Sequence, residues 1–358
     1  MVLLVDKYRP KSFDKMDIHK DMSQQLKNIV NTGDFPHLLF YGPSGAGKKT
    51  RVMALLKEVY GVKAEKTKLE NKEIKVGSQL SKSITVTTLS SPCHIEINPS
   101  DSGNYDRYVI GTLLKEIAQS APLDQSAERN FKVVIINEVD LLSREAQQAL
   151  RRTMEKYVKT CRLVLMATSI SKILSPIKSR CLCIRVPAPT SEEISTVLQK
   201  VAKQEVFNLP KAFCDEISEK SEGNLRRALL MLEASKAEKY PFTAGQKARL
   251  PEWERFIADI AKEIMEDQSP KRLLEIREKY YQLITNCIPP ELILQKLANY
   301  LIVVVDYDVK HQVSHWSAFY EHRLKCGSRP IFHLEAFTAK IMSVYKRYVK
   351  LLSFVNNL

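Results

Sequence analysis

The residues most able to do chemistry stand at Gly42-Pro43-Ser44-Gly45-Ala46-Gly47-Lys48-Lys49-Thr50. Glycines at this spacing let consecutive backbone N–H groups close around a di- or triphosphate at a helix N-terminus, and Lys48 adds a point charge. After that lysine the pattern requires Ser or Thr, whose hydroxyl holds Mg²⁺. Here the place is taken by Lys49, and Thr50 comes one residue late. One helical step turns a side chain by about 100°, so Thr50 is no substitute. The ammonium of Lys49 has two places open to it. It can lie by the vacant metal position and partly neutralise the β-phosphate, or it can point to solvent.

A second departure affects the same ion. Val133-Val134-Ile135-Ile136 is a continuous apolar run, as in a central parallel strand buried on both faces. Such a strand in a phosphate-binding-loop NTPase ends in Asp-Glu, the Asp helping to hold Mg²⁺ and the Glu polarising the attacking water. This chain has Asn137-Glu138. An amide cannot supply the negative charge that hard Mg²⁺ favours. The pair of changes predicts a pocket that binds nucleotide, ATP or ADP, with Mg²⁺ weakly held or absent and hydrolysis largely lost. Glu138 keeps the base position but is expected to be idle. The competing reading is an ATPase with its own turnover, using Glu138 and a metal held by phosphates and water alone.

The elements that must position these residues are legible around them. Leu38-Leu39-Phe40 reads as a short buried strand ahead of the loop, and Val52, Leu55, Leu56 and Val59 mark one face of the helix after it. Further strands are expected at His94–Ile97, Val133–Ile136, Leu163–Met166 and Leu182–Val186, with helices around Val109–Ile117 and Ser143–Tyr157. Strands alternating with helices predict a parallel sheet with ligands at the carboxyl ends of its strands. The stretch from Val62 to Pro92, with lysines at 63, 66, 68, 72, 75 and 82, reads as a surface insertion with a hairpin strand at Ser83–Thr87. Pro187-Ala188-Pro189 breaks the pattern. Beyond it the periodicity is helical to Ala237, Tyr240–Pro251 reads as a linker, and the rest is helical again, with Trp253, Phe256, Ile257, Ile260 and Ile264 on one stripe.

The chain has 358 residues and a formal net charge of +14, compatible with polyanionic partners, nucleic acid first. Its apolar stretches are far short of a membrane span, and Met1–Asp6 lacks the form of a secretory signal. Seven cysteines without a regular framework fit a reducing cytosol or nucleus. Cys181 and Cys183 have no second Cys/His pair at zinc-site spacing and are expected to be buried thiols; no metal site is predicted. His311 and His315 read as surface histidines.

Five motifs in order carry a family resemblance. They are Val5-Asp6-Lys7-Tyr8-Arg9-Pro10, Phe35 through Pro43, Ala149-Leu150-Arg151-Arg152-Thr153-Met154-Glu155, Pro176-Ile177-Lys178-Ser179-Arg180-Cys181, and Gly223-Asn224-Leu225-Arg226. The whole chain resembles a small subunit of replication factor C, the eukaryotic sliding-clamp loader of the AAA+ class. The usual Trp before the N-terminal box is Leu4 here. The unusual Lys49 and Asn137, with Tyr320–Leu324 and Ile331–Phe337, resemble one particular member.

The resemblance implies an α/β AAA+ domain with a parallel sheet at residues 1–187, a helical lid at 188–240, a linker at 241–252 and an all-helical collar at 253–358. It implies a spiral of five subunits with nucleotide sites at the interfaces. Val5, Tyr8, Arg9 and Pro10 would line the nucleotide together with the loop residues Gly42 through Thr50, Asn137, Thr168 at the first-sensor position and Arg226 at the second. Thr168 replaces the usual Asn. Arg180 would act in trans on the neighbour's γ-phosphate. The implied partners are the other subunits, the PCNA sliding clamp and primer–template DNA, in the nucleus and with no membrane. Arg107, Arg151 and Arg152 are the candidates for DNA, Arg151 and Arg152 diverging by about 100° so that at most one faces it directly. The Val109–Ile117 helix would face the clamp. Related loaders for checkpoint and cohesion work share small subunits by the same analogy.

Overall fold

The computed structural model describes residues 2–31, 34–76, 82–119, 131–158, 160–242 and 246–355. The chain divides into two compact units, Met1–Arg249 and Leu250–Leu358.

In the first unit, α1 (Leu4–Lys7) and α2 (Lys20–Asn31) precede β1 (Leu38–Tyr41), the phosphate-binding loop and α3 (Lys48–Tyr60). Next come β2 (Lys68–Val76), β3 (Lys82–Ser90), β4 (His94–Ile97), α4 (Asp106–Gln119), β5 (Lys132–Ile136), α5 (Arg144–Lys156), β6 (Cys161–Ala167), α6 (Ser175–Lys178) and β7 (Leu182–Arg185). The sheet order is β2-β3-β4-β5-β6-β1-β7. From β4 to β7 every pairing is parallel. The lysine-rich stretch is more than a surface insertion: β2 and β3 form a hairpin whose second strand pairs antiparallel with β4, widening the sheet. The described side chains of Lys63, Lys66 and Lys68 are exposed and Lys72 half-buried, while those of Lys75 and Lys82 lie outside the described residues.

Alternation of side chains along each strand divides the core into two layers. Leu39, Ile97, Val134, Ile136 and Leu165 pack on the face covered by Val109, Leu113 and Leu150 of α4 and α5. Leu38, Phe40, Val133, Ile135 and Val164 face Leu26 of α2 and Val52 and Leu55 of α3. Coverage on both faces is why β5 and β6 are apolar without a break. The stripe of Val109, Leu113 and Ile117 is consumed by this core. Cys181 and Cys183 differ from expectation. Cys183 is exposed and Cys181 only partly buried, because β7 is an edge strand with a neighbour on one side; burial still pushes the Cys181 thiol up to about 12.

Three helices follow: α7 (Ser191–Gln204), α8 (Lys211–Lys220) and α9 (Leu225–Glu238). Helix α7 begins with a capping box between Thr190 and Glu193, and α9 with Asn224, whose side chain accepts from the Arg227 amide. Each satisfies amides that a helix start leaves without partners.

The second unit is helical throughout its described residues: α10 (Glu252–Glu266), α11 (Pro270–Thr285), α12 (Pro290–Val304), α13 (Tyr307–Cys326) and α14 (Pro330–Val355). Ile257, Ile260, Ile264, Tyr280, Leu297 and Phe337 form its core. His311 and His315 lie exposed on α13. No helix among the described residues is long and apolar enough to cross a membrane.

Candidate nucleotide site

The loop between β1 and α3 is shaped by glycines that nothing else could replace. At Gly42 (φ +151°) a Cβ would lie 1.9 Å from the carbonyl oxygen of Val186, and at Gly45 (φ +76°) 1.8 Å from Oδ1 of Asn224. The first contact brings the loop against the end of β7; the second presses it against the N-terminus of lid helix α9. Lys48 lies over the loop, its Nζ donating to the carbonyls of Gly42 (2.6 Å) and Pro43 (2.9 Å). Burial lowers the pKa of Lys48, the charge of Asp140 opposes that shift, and Arg226 reinforces it. Arg226 is exposed at the start of α9. Loop, Lys48 and Arg226 thus converge at the carboxyl ends of the central strands.

Val5, Tyr8, Arg9 and Pro10 are arranged around α1, which is tied to the lid. Glu205, after α7, accepts from Lys7 Nζ (2.5 Å) and Tyr8 Oη (2.6 Å). Lys7 and then Tyr8 hold its carboxyl down to about 2. Glu233 of α9 accepts from the Leu4 amide, and Arg9 pairs with Asp6 at 2.9 Å. Arg51, in α3, is buried and spans from the Ala46 carbonyl (3.2 Å) to that of Ile18 (3.0 Å), bracing the loop against the segment before α2. Sequence reading passed over Arg51, which has no motif signal.

At the metal position the side chains are engaged with one another. Lys49 is not a free surface lysine: its Nζ lies 2.5 Å from Oε1 of Glu96, on β4. Asn137 Nδ2, just past β5, donates to the same oxygen at 2.7 Å. Glu96 is buried, and among the described residues its Oε2 has no hydrogen-bond partner. This carboxylate was also missed. Its place in an alternating strand, Ile95-Glu96-Ile97, was the available signal, since a carboxylate among core residues needs a partner. Ser44 and Thr50 contribute no hydroxyl to this cluster. An ammonium, an amide and a carboxylate already shared between them do not fit Mg²⁺, which takes oxygen ligands in octahedral array.

Glu138 has a left-handed backbone (φ +52°) that turns the chain out of β5, and its carboxylate is exposed, accepting from Ser100 Oγ at 3.4 Å. Thr168, after β6, gives its hydroxyl to the buried Asp140, whose Oδ2 also accepts from the Thr168 (3.2 Å) and Ser169 (3.3 Å) amides.

Arg180 lies apart from this pocket, just beyond α6. It pairs with Glu155 at 2.6 Å and donates to the Pro176 carbonyl at 2.8 Å. Arg151 reaches Glu155 too, at 3.2 Å; together the two arginines hold that carboxyl below the usual range, Arg151 contributing most. Arg152, one helical position on, is exposed. Arg107 pairs with Glu145 of α5 at 2.7 Å. The structure therefore groups Arg151 with Arg180, and leaves Arg152 and Arg107 elsewhere.

A phosphate-binding loop at the end of β1, a mainly parallel sheet covered on both faces and a helical lid touching the loop define an AAA+ module. Family models agree along the chain: the DNA polymerase III delta subunit at residues 18–190, the RCF1/5-like AAA+ ATPase lid domain at 196–237, and the C-terminal domain of replication factor C subunit 3 at 253–349. The chain is 54% identical to the probable replication factor C subunit 3 of Dictyostelium discoideum, over 97% of this chain and 99% of that one. It is 51% identical to replication factor C subunit 3 of Arabidopsis thaliana (97% of this chain, 99% of that one) and of Homo sapiens (98% of each). The chain belongs to the replication factor C small-subunit family, in the branch whose members are named subunit 3 or subunit 5.

Proposed function

We propose that this protein is a clamp-loader subunit that holds ATP or ADP with little or no hydrolysis of its own and lends Arg180 to the site of a neighbouring subunit. It works in a replication factor C pentamer that loads the PCNA clamp at primer–template junctions in the nucleus. The observation that carries the reading is the Lys49–Glu96–Asn137 cluster, which takes up the groups a hydrolytic site would give to Mg²⁺. Glu138 and Thr168 agree with it, the one turned toward Ser100 and the other occupied by Asp140.

The loop amides, Lys48 and Arg226 bind the phosphates. Through Asn224 the lid senses the loop, and through Glu205 and Glu233 it carries the N-terminal box, so binding at the loop bears on the position of both. Arg180 and Arg151 share Glu155, so the group presents one net positive charge to a neighbour, with Arg180 held at its edge by that carboxylate. That leaves Arg152 as the better placed of the adjacent pair for duplex phosphates, with Arg107 less available because of Glu145. Such contacts position the duplex without reading its sequence and weaken with salt. Helix α4 has its apolar stripe buried, so its offering to the clamp is its N-terminal end, where Tyr105 and Tyr108 are exposed.

The test is steady-state ATP hydrolysis by the reconstituted pentamer with clamp and primed DNA, comparing wild type with Lys48→Ala and Arg180→Ala. Arg180→Ala is expected to cripple turnover at the neighbour's site, where arginines of this kind contribute about 10³–10⁵ in rate. Lys48→Ala is expected to change the total little. If Lys48→Ala removes a full subunit's share of hydrolysis, the pocket is a working ATPase using Glu138.

A further inference from the structure

The fold family implies Mg²⁺ at the end of β5, and the residues there do not suit it. Three elements meet at that point: the first turn of α3 brings Lys49, β4 brings Glu96 and the end of β5 brings Asn137. The side chain of Glu96 is 7% exposed and that of Lys49 43% exposed, so the carboxylate is fixed in the core while the lysine stays partly open to solvent at the start of α3. A divalent ion arriving there would meet a positive charge at close range and have to displace it from Oε1 of Glu96. The repulsion doubles with the charge of the ion. The second Glu96 oxygen is buried with no hydrogen-bond partner among the described residues, so the carboxylate depends on the Lys49 ammonium and the Asn137 amide at its other oxygen. Asn137 fits this arrangement as Asp would not: its amide donates to Glu96, whereas a carboxylate would repel it.

We infer that the Lys49 ammonium, held by Glu96, whose carboxylate Asn137 in turn fixes, is a built-in substitute for the divalent cation beside the phosphates. The site then takes a nucleoside di- or triphosphate as readily without a divalent ion as with one. Glu96 is the residue that makes this work, as a positioning group for Lys49. The inference rests on nucleotide binding at the Gly42–Thr50 loop and deepens that reading: it concerns what neutralises the phosphates, not whether they are hydrolysed.

The experiment is a fluorescence titration of the full chain with N-methylanthraniloyl-ADP, in EDTA and in excess Mg²⁺. For wild type the affinity is expected to differ by less than about twofold between the two conditions. Lys49→Met removes the charge at a partly exposed position and is expected to bind about tenfold more weakly in EDTA. The double variant Lys49→Thr with Asn137→Asp restores the usual hydroxyl and carboxylate, and is expected to gain about tenfold from Mg²⁺. A wild-type affinity that rises about tenfold with Mg²⁺ overturns the inference, as does a Lys49→Met variant that binds like wild type in EDTA. A double variant that folds, binds and remains indifferent to Mg²⁺ also overturns it, because these two positions would not then be what excludes the ion. Failure of the wild type to bind in either condition sinks the nucleotide reading itself, a result separable from the others.

Discussion

Substituting Gly45 by alanine tests the contact through which the lid meets the loop. The new Cβ would lie 1.8 Å from Oδ1, 2.3 Å from Cγ and 2.9 Å from Nδ2 of Asn224. Asn224 must therefore swing away, and its Oδ1 can no longer accept from the Arg227 amide, now 3.0 Å distant. Loss of such a cap costs about 1 kcal/mol. Alanine at φ +76° adds about 1–2 kcal/mol of backbone strain. The expected total for Gly45→Ala is about 2–3 kcal/mol, against about 1 kcal/mol for Asn224→Ala alone. In the double variant the cap is already gone and the clash has no partner, so its cost stays near 2–3 kcal/mol, roughly 1 kcal/mol below the sum of the singles. Urea unfolding followed by far-UV circular dichroism reads both units. Both tryptophans, Trp253 and Trp316, lie in the second unit, so their fluorescence transition serves as an internal reference that should not move. Hydrogen exchange at the Arg227 amide should quicken in all three variants. Singles that add to within a few tenths of a kcal/mol would show that loop and lid do not touch at this point.

Two further predictions concern the ties around the site and the second unit. The carboxyl of Glu205 is held down to about 2 from an ordinary value of 4.5. Since its folded pKa is depressed, its contribution to stability is present above the ordinary value and lost as pH falls from 4.5 toward 2; Glu205→Gln should lower Tm at neutral pH and flatten the acid dependence in that window. In the second unit, the buried Tyr280 hydroxyl lies 2.7 Å from Thr338 Oγ1, which itself donates to the Leu334 carbonyl, so the tyrosine is the donor. Tyr280→Phe should cost about 1 kcal/mol, read from the shift in the tryptophan-fluorescence midpoint, with the native far-UV circular-dichroism spectrum unchanged.

Much of this molecule follows from patterns of a few adjacent residues. The Leu38, Val133 and Leu163 strands lie where their apolar runs place them, because a strand covered on both faces has no polar position to disguise it, and the His94 and Leu182 strands also lie where the sequence places them. The loop, with its glycines and Lys48, is equally local, since backbone curvature and phosphate binding are properties of consecutive residues. The Lys49 and Asn137 substitutions showed from sequence alone that the site had lost its usual metal donors. What joined them was not legible. Lys49 and Glu96 are separated by 47 positions, and Glu96 and Asn137 by 41. Only the parallel pairing of β4 with β5, alongside the start of α3, brings the three into one hydrogen-bonded group. The same holds for Arg180 on Glu155, Tyr8 on Glu205 and Gly45 against Asn224. Residue type and spacing determined that this protein has a phosphate site of altered chemistry; side-chain partners chosen across the sheet and lid, where a buried charge must find an opposite one, decided what that chemistry became.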